Sequence, residues 1–181
     1  GPGGDARSAA SFETDGTVQS FVELEGGGAE AFQRMLADGH YAPYRWRVRL
    51  FREGQTGETS VYFTPGGRPF GFAERVPEDA ERPSLAPEAA RALAEGEAAV
   101  RWQVDLGAHD LVESGKEERP NGRVDHTFVY ERRDVTVGEG RYRVRLVVSG
   151  DRVSAVMPFV RVPEAFLRRY EDMRSANEAI A

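Results

Sequence analysis

Side chains able to do covalent or metal chemistry are sparse in this chain and seldom adjacent. The densest group is His126, with Asp125 beside it and Tyr130 four residues on. A zinc-type site needs three or four converging ligands, each held by further hydrogen bonds. Neighbours in a strand point to opposite faces, so Asp125 and His126 do not share one ion, whereas His126 and Tyr130 lie on the same face. Asp125, His126 and Tyr130 are therefore polar candidates whose expected role is cross-strand hydrogen bonding. His109 beside Asp110, and His40 beside Tyr41, offer even fewer partners. Ser149, in Val148-Ser149-Gly150-Asp151, lacks the strand-to-helix elbow of a nucleophilic serine and reads as a hairpin turn. Gly26-Gly27-Gly28 lacks the Gly-Lys-Ser/Thr ending of a phosphate loop and reads as a chain break. The acidic pairs Glu78-Asp79 and Glu117-Glu118 are read in loops, as solvated charge. No catalytic residue, metal ligand or cofactor site is assigned.

What the sequence does display is arginine. Arg45, Arg47 and Arg49 alternate with Tyr44, Trp46, Val48 and Leu50, and Arg141, Arg143 and Arg145 alternate with Tyr142, Val144 and Leu146. A period of two is that of a strand with one wet face. These six arginines form a candidate binding face for an acidic or extended peptide, or for lipid headgroups. The competing reading is a solvated face whose arginines pair with glutamates, each pair contributing little.

The rest of the chain must position these strands. The stretch Arg141 to Phe166 reads as a hairpin through Ser149-Gly150-Asp151, running into a helix opened by Pro163. Upstream, residues 1–10 read as a mobile linker. Ser11-Phe12 and Val18 to Leu24 read as short strands around the turn Thr14 to Thr17. Ala29 to Ala37 reads as a helix stopped by Gly39. Tyr44 to Phe51, Ser60 to Thr64 and Arg68 to Val76 read as a three-stranded meander. A Pro-rich, acidic boundary covers residues 77–86. Ser84 is a candidate N-cap for a helix from Pro87 to Glu95. Trp102 to Leu106, Asp110 to Lys116 and Arg123 to Glu131 read as strands, the last two joined at Pro120-Asn121-Gly122.

The order helix, then meander, occurs twice. RVPE recurs at Arg75 to Glu78 and Arg161 to Glu164, and RWRVRL at Arg45 to Leu50 resembles RWQVDL at Arg101 to Leu106. The expected fold is α+β. Antiparallel sheets would each be packed by a helix, in two tandem units similar to cystatin-like or PepSY-like modules, with a C-terminal helix. The first unit would span residues 11–80 and the second 81–181.

Composition bounds the function. The chain has 181 residues, 40% hydrophobic and 30% charged, which places it among globular proteins and not disordered ones. A net charge of −6 argues against a nucleic-acid partner. With no cysteine, disulfides and thiolate catalysis are excluded. No apolar run approaches the roughly 20 residues of a membrane helix.

Three segments together carry a family resemblance: VQSFVELEGG (Val18 to Gly27), NGRVDHTFVYER (Asn121 to Arg132), and RYRVRLVVSGD followed by FVRVPEAFLRRYEDMRSAN (Arg141 to Asn177). They resemble the large soluble domain that precedes the membrane helices in some bacterial CPBP-family intramembrane proteases, the CAAX-protease and bacteriocin-processing group. The resemblance covers most of the chain from Ser11 on and is more specific in the second half. It implies an extracytoplasmic accessory domain, with the membrane helices of the same polypeptide and a peptide or protein substrate as partners. In that family the segment like RRYEDMRSAN leads into the first membrane span, and here the final helix pattern ends at Ile180-Ala181 without a Gly or Pro stop. The family's paired-Glu and His motifs have no counterpart, since Glu117-Glu118 precedes Arg119-Pro120 in a polar context. The expectation is a non-catalytic domain for substrate positioning, ligand sensing or regulation. The alternative is a free-standing cystatin-like binding or inhibitor module.

Overall fold

A computed structural model describes residues 5–180. The elements run β1 (Ala6–Thr14), α1 (Gly16–Leu24), α2 (Gly28–Asp38), β2 (Tyr44–Arg52), β3 (Glu58–Phe63), β4 (Pro69–Arg75), α3 (Pro87–Trp102), a 3-10 turn (Leu106–Ala108), β5 (His109–Glu118), β6 (Val124–Val137), β7 (Gly140–Ser149), β8 (Arg152–Arg161) and α4 (Glu164–Ile180). The fold is α+β, as the alternation of helix and meander implies. The strands do not form separate sheets. All eight join one antiparallel sheet in the order β1-β2-β3-β4-β8-β7-β6-β5.

Two meanders thus lie side by side, and the strands that end in the two RVPE segments meet at the seam. Only Phe72↔Val156 and Ala73↔Ala155 pair there. Gly71 makes this approach possible: a Cβ on it would stand 2.8 Å from the Val156 carbonyl oxygen.

The helices share one face of the sheet. Tyr142 and Leu146 point the same way along β7. Tyr142 packs with Phe21 of α1, Phe32 and Met35 of α2 and Phe166 of α4. Leu146 packs with Ala90, Ala94 and Ala98 of α3. These three alanines are fully buried, and their small side chains let α3 lie close against the strands.

Several local readings differ from what forms. Val18 to Leu24 is not a strand. Val18, Phe21 and Val22 sit at helical spacing and are buried, and Asp15 caps α1 by accepting a hydrogen bond from the Val18 N–H at 3.1 Å. Ala6 to Ala10, read within a mobile linker, form half of β1; Gly1 to Gly4 lie outside the described residues. Trp102 to Leu106 is not a strand either. α3 continues to Trp102, and Gln103 ends it in the left-handed conformation at φ 54°. The Ala-rich run has enough helix propensity to carry the chain past Glu95. Ser84 does not cap that helix; its hydroxyl accepts from the Val124 N–H at 2.9 Å. Glu117-Glu118 belongs to β5 and not to a loop.

Candidate functional site

The sheet places the two arginine stripes on the face away from the helices, separated by β3, β4 and β8. They meet acids and not each other. Arg49 holds Glu58 through two contacts, of 2.9 and 2.6 Å. Arg47 donates to the Ser60 hydroxyl at 3.0 Å and lies 3.6 Å from Glu13. Arg45 donates to the Tyr41 hydroxyl at 3.0 Å and also approaches Glu13. On the other stripe Arg143 bridges Glu131 at 2.8 Å and Glu113 at 3.2 Å. Arg141 contacts backbone carbonyls at its own turn, and Arg145 lies over the Phe159 ring. The charge of this face is mostly answered from within the chain.

Asp125, His126 and Tyr130 are drawn into three separate tethers. Asp125 is buried and accepts from Arg123 at 2.9 Å and Arg119 at 2.7 Å. Arg123 in turn donates to the carbonyls of Pro77 and Ala80, which fastens the Pro-rich segment of residues 77–86 to β6. Desolvation works against the Asp125 charge, but the hydrogen bonds from Arg123 and Arg119 prevail and hold its carboxyl below the usual aspartate range. His126, on the opposite face, contacts the Leu85 carbonyl through Nε2 at 2.9 Å. The Tyr130 hydroxyl donates to Glu95 of α3 at 2.6 Å; burial, then the Glu95 carboxylate, push its pKa up to about 12. Among the described residues no three His, Asp or Glu side chains gather into a metal set. Ser149 lies buried with its hydroxyl 2.8 Å from that of Ser154, at the end of the hairpin.

The place most suited to hold a ligand is elsewhere. Between the C-terminal end of α2 and that of α3 the two helix groups part, and a cleft of about 640 Å³ opens over the middle of the sheet. This is the size range of small-molecule sites, which run from about 300 to 1,000 Å³. Its walls include Tyr142, Phe70, Trp102 and Leu36, and two of the chain's three histidines, His40 and His109, also line it. The His40 ring packs against Tyr142 with centroids 5.5 Å apart. Trp102 stacks on Phe72 at 5.1 Å.

Polar side chains at the cleft include the donors Arg68 and Tyr142, and His109, whose neutral ring leaves Nε2 as an acceptor. Arg68, exposed on the turn between β3 and β4, forms no ion pair among the described residues, unlike most arginines of the stripes. Burial, then Asp38, raise the pKa of Tyr142 to about 12, so its hydroxyl keeps its proton at neutral pH. His109 sits 2.6 Å through Nδ1 from the Asp105 carbonyl, so Nδ1 carries a proton and donates to it. Burial, with a lesser push from Arg132, lowers the His109 pKa despite that hydrogen bond.

Sequence reading missed this cleft because His40, Arg68, Trp102, His109 and Tyr142 come from five separated segments. The one available signal was the concentration of histidines and aromatics at segment ends, where helices stop and strands begin. No family model, curated protein or solved structure matches the chain.

Proposed function

We propose that this chain is a non-catalytic binding domain that holds a small ligand in the cleft between α2 and α3. The ligand has an apolar or aromatic body and an anionic end. The carrying observation is the pairing of an aromatic-walled cleft with Arg68, a guanidinium that has no acidic partner among the described residues. Aromatic walls supply contact area and a cation fixes the head group.

In this reading the domain is accessory to a membrane-embedded protease of the CPBP type and lies on the extracytoplasmic side of a bacterial membrane. Occupancy of the cleft would be the signal it senses or the means by which it presents substrate. The three resembling segments support that setting, and the last of them covers most of α4. Coding sequence after Ala181 that encodes several apolar spans with Glu-Glu and His motifs would support it; a stop codon there would overturn it.

A free-standing cystatin-like module is the second reading. It is favoured by the first half of the chain, in which α1 and α2 precede the meander β2-β3-β4 and β1 pairs back on β2. That tandem-unit description treats the seam between β4 and β8 as a junction of two copies.

The ligand reading is tested with 8-anilinonaphthalene-1-sulfonate, an aromatic anion. The expected result is saturable fluorescence enhancement at one site, weakened about tenfold or more by Arg68→Glu and untouched by Trp46→Lys. Binding abolished by Trp46→Lys and indifferent to Arg68→Glu would overturn it.

A further inference from the structure

The two edges of the sheet are unlike. β5 carries Asp110, Glu113, Lys116, Glu117 and Glu118, and its register slips between Leu111 and Glu113. Charges and bulges are how natural sheets keep an edge from pairing with another chain. β1, at the other edge, has fewer charges and no bulge. Its sequence is ARSAASFET, its register with β2 runs unbroken over nine residues, and its only ionisable side chains are Arg7 and Glu13.

The open backbone groups of β1 can be identified. The Asp15 N–H donates to the Pro43 carbonyl at 2.8 Å, and Asp15 and Pro43 continue the β1–β2 register. In an antiparallel ladder the residues alternate between facing the partner and facing away. Odd-numbered positions therefore bond to β2, and Ala6, Ser8, Ala10, Phe12 and Thr14 direct N–H and C=O outward. Along the same strand, the even-numbered side chains continue an uncovered apolar surface. Phe12 is 50% exposed, Trp46 41% and Leu50 46%.

We propose that β1 is a self-pairing edge, and that a second copy of this chain adds its own β1 antiparallel about a two-fold axis at Ala10. The two sheets then run on as one. In this register Ala10 faces Ala10, Ser8 faces Phe12, Ala6 faces Thr14, and all nine residues of each strand are paired. Arg7 of each copy stands opposite Glu13 of the other, at a non-hydrogen-bonded position where side chains come closest. A shift of two residues either way loses both charge pairs. Ser8, Ala9, Ala10 and Ser11 keep the centre free of bulk. On the apolar face, Phe12 of one copy would lie beside Ser8 of the other, which is itself flanked by Leu50. This is the self-complementary patch a two-fold dimer requires. Within one copy Arg7 lies 2.8 Å from Glu53, and Glu13 lies 3.6 Å from Arg47. The Arg7–Glu53 contact is exposed and weak enough to be exchanged, and the half-buried Glu13 can share its carboxylate between Arg47 and a second arginine.

Sedimentation equilibrium of the full chain over rising concentration tests this. The expected result is a concentration-dependent dimer. Ala10→Pro removes an outward N–H and no bond to β2, so it leaves the circular dichroism spectrum intact and abolishes the dimer. Arg7→Glu and Glu13→Arg each weaken association about tenfold or more, and the double variant restores it. A synthetic peptide of residues 6–14 dissociates the dimer. A chain that stays monomeric at all concentrations, or a dimer indifferent to Ala10→Pro and to both charge reversals, would overturn the proposal.

Discussion

Gly71 lies so close to the backbone of Val156 that a Cβ would meet the carbonyl oxygen at 2.8 Å, and Pro158 Cδ at 3.1 Å. Its φ is not in the left-handed region, so the requirement is for space and not for backbone freedom. This contact is where the two meanders become one sheet. Gly71→Val should force the strands apart. Overpacking of this kind costs about 1–3 kcal/mol, and for a chain of this length each kcal/mol lowers Tm by about 2–4 °C. Thermal unfolding followed by circular dichroism checks this. An unchanged Tm would mean that the seam contributes little.

The Arg123–Asp125 pair is buried, with Arg123 3% and Asp125 6% exposed. Removing one partner of such a pair leaves an uncompensated charge and costs about 3–5 kcal/mol. Asp125→Ala should fall in that range in urea unfolding. It should also release the segment of residues 77–86, seen as faster amide exchange there. Replacing both residues together should cost less than the sum of the single changes.

The same carboxyl gives a pH signature. Its pKa is lower in the folded protein than in the unfolded chain. The stability this difference contributes is fully present above the ordinary aspartate value near 4 and is lost as pH falls through the folded value. Urea midpoints measured between pH 7 and pH 2 should therefore drop more steeply for the natural protein than for Asp125→Asn at the acid end. Parallel curves would contradict the assignment.

His109 gives the opposite kind of test, at the cleft. Its pKa is lowered, so it is neutral at pH 7 and charges only below its ordinary value near 6.5. An anionic probe should bind more tightly as pH falls through that range. His109→Gln should make the profile shallower. Equal pH dependence in both proteins would place the probe away from His109.

The parts legible in the sequence were those with period-two alternation. The strand at Arg141 declares itself because every second residue avoids water; the strand at Tyr44 shows the same alternation of residue types, although its Trp46 and Leu50 stay exposed. Val18 to Leu24 misled because Val and Phe favour strands, while the helical spacing of Val18, Phe21 and Val22 and the cap at Asp15 point the other way. The likeness of Arg101 to Leu106 to a strand failed because helix propensity upstream carried the chain through Trp102. β1 was half hidden, since small side chains on an edge strand carry almost no hydrophobic pattern. The arginine stripes were visible, but their partners were not. Glu13 lies on a strand more than thirty positions before Arg47 and reaches it only through the β1–β2 register. The cleft was beyond sequence reading for the same reason: tertiary packing assembles it from segment ends.

The account turns on ligands entering the cleft between α2 and α3 and not the arginine-striped face. The chain has two tryptophans, Trp102 in the cleft wall and Trp46 on the part of the same sheet face that no helix covers. Two indole N–H signals therefore separate the cleft from that exposed patch, and the backbone amides of Arg45, Arg47 and Arg143 report on the striped strands. In a ¹H–¹⁵N NMR titration with 8-anilinonaphthalene-1-sulfonate, the Trp102 signal and the backbone amides of Arg68, His109 and Tyr142 should shift together and saturate, while Trp46 stays in place. Saturating shifts confined to Trp46, or to the amides of Arg45, Arg47 and Arg143, would contradict it.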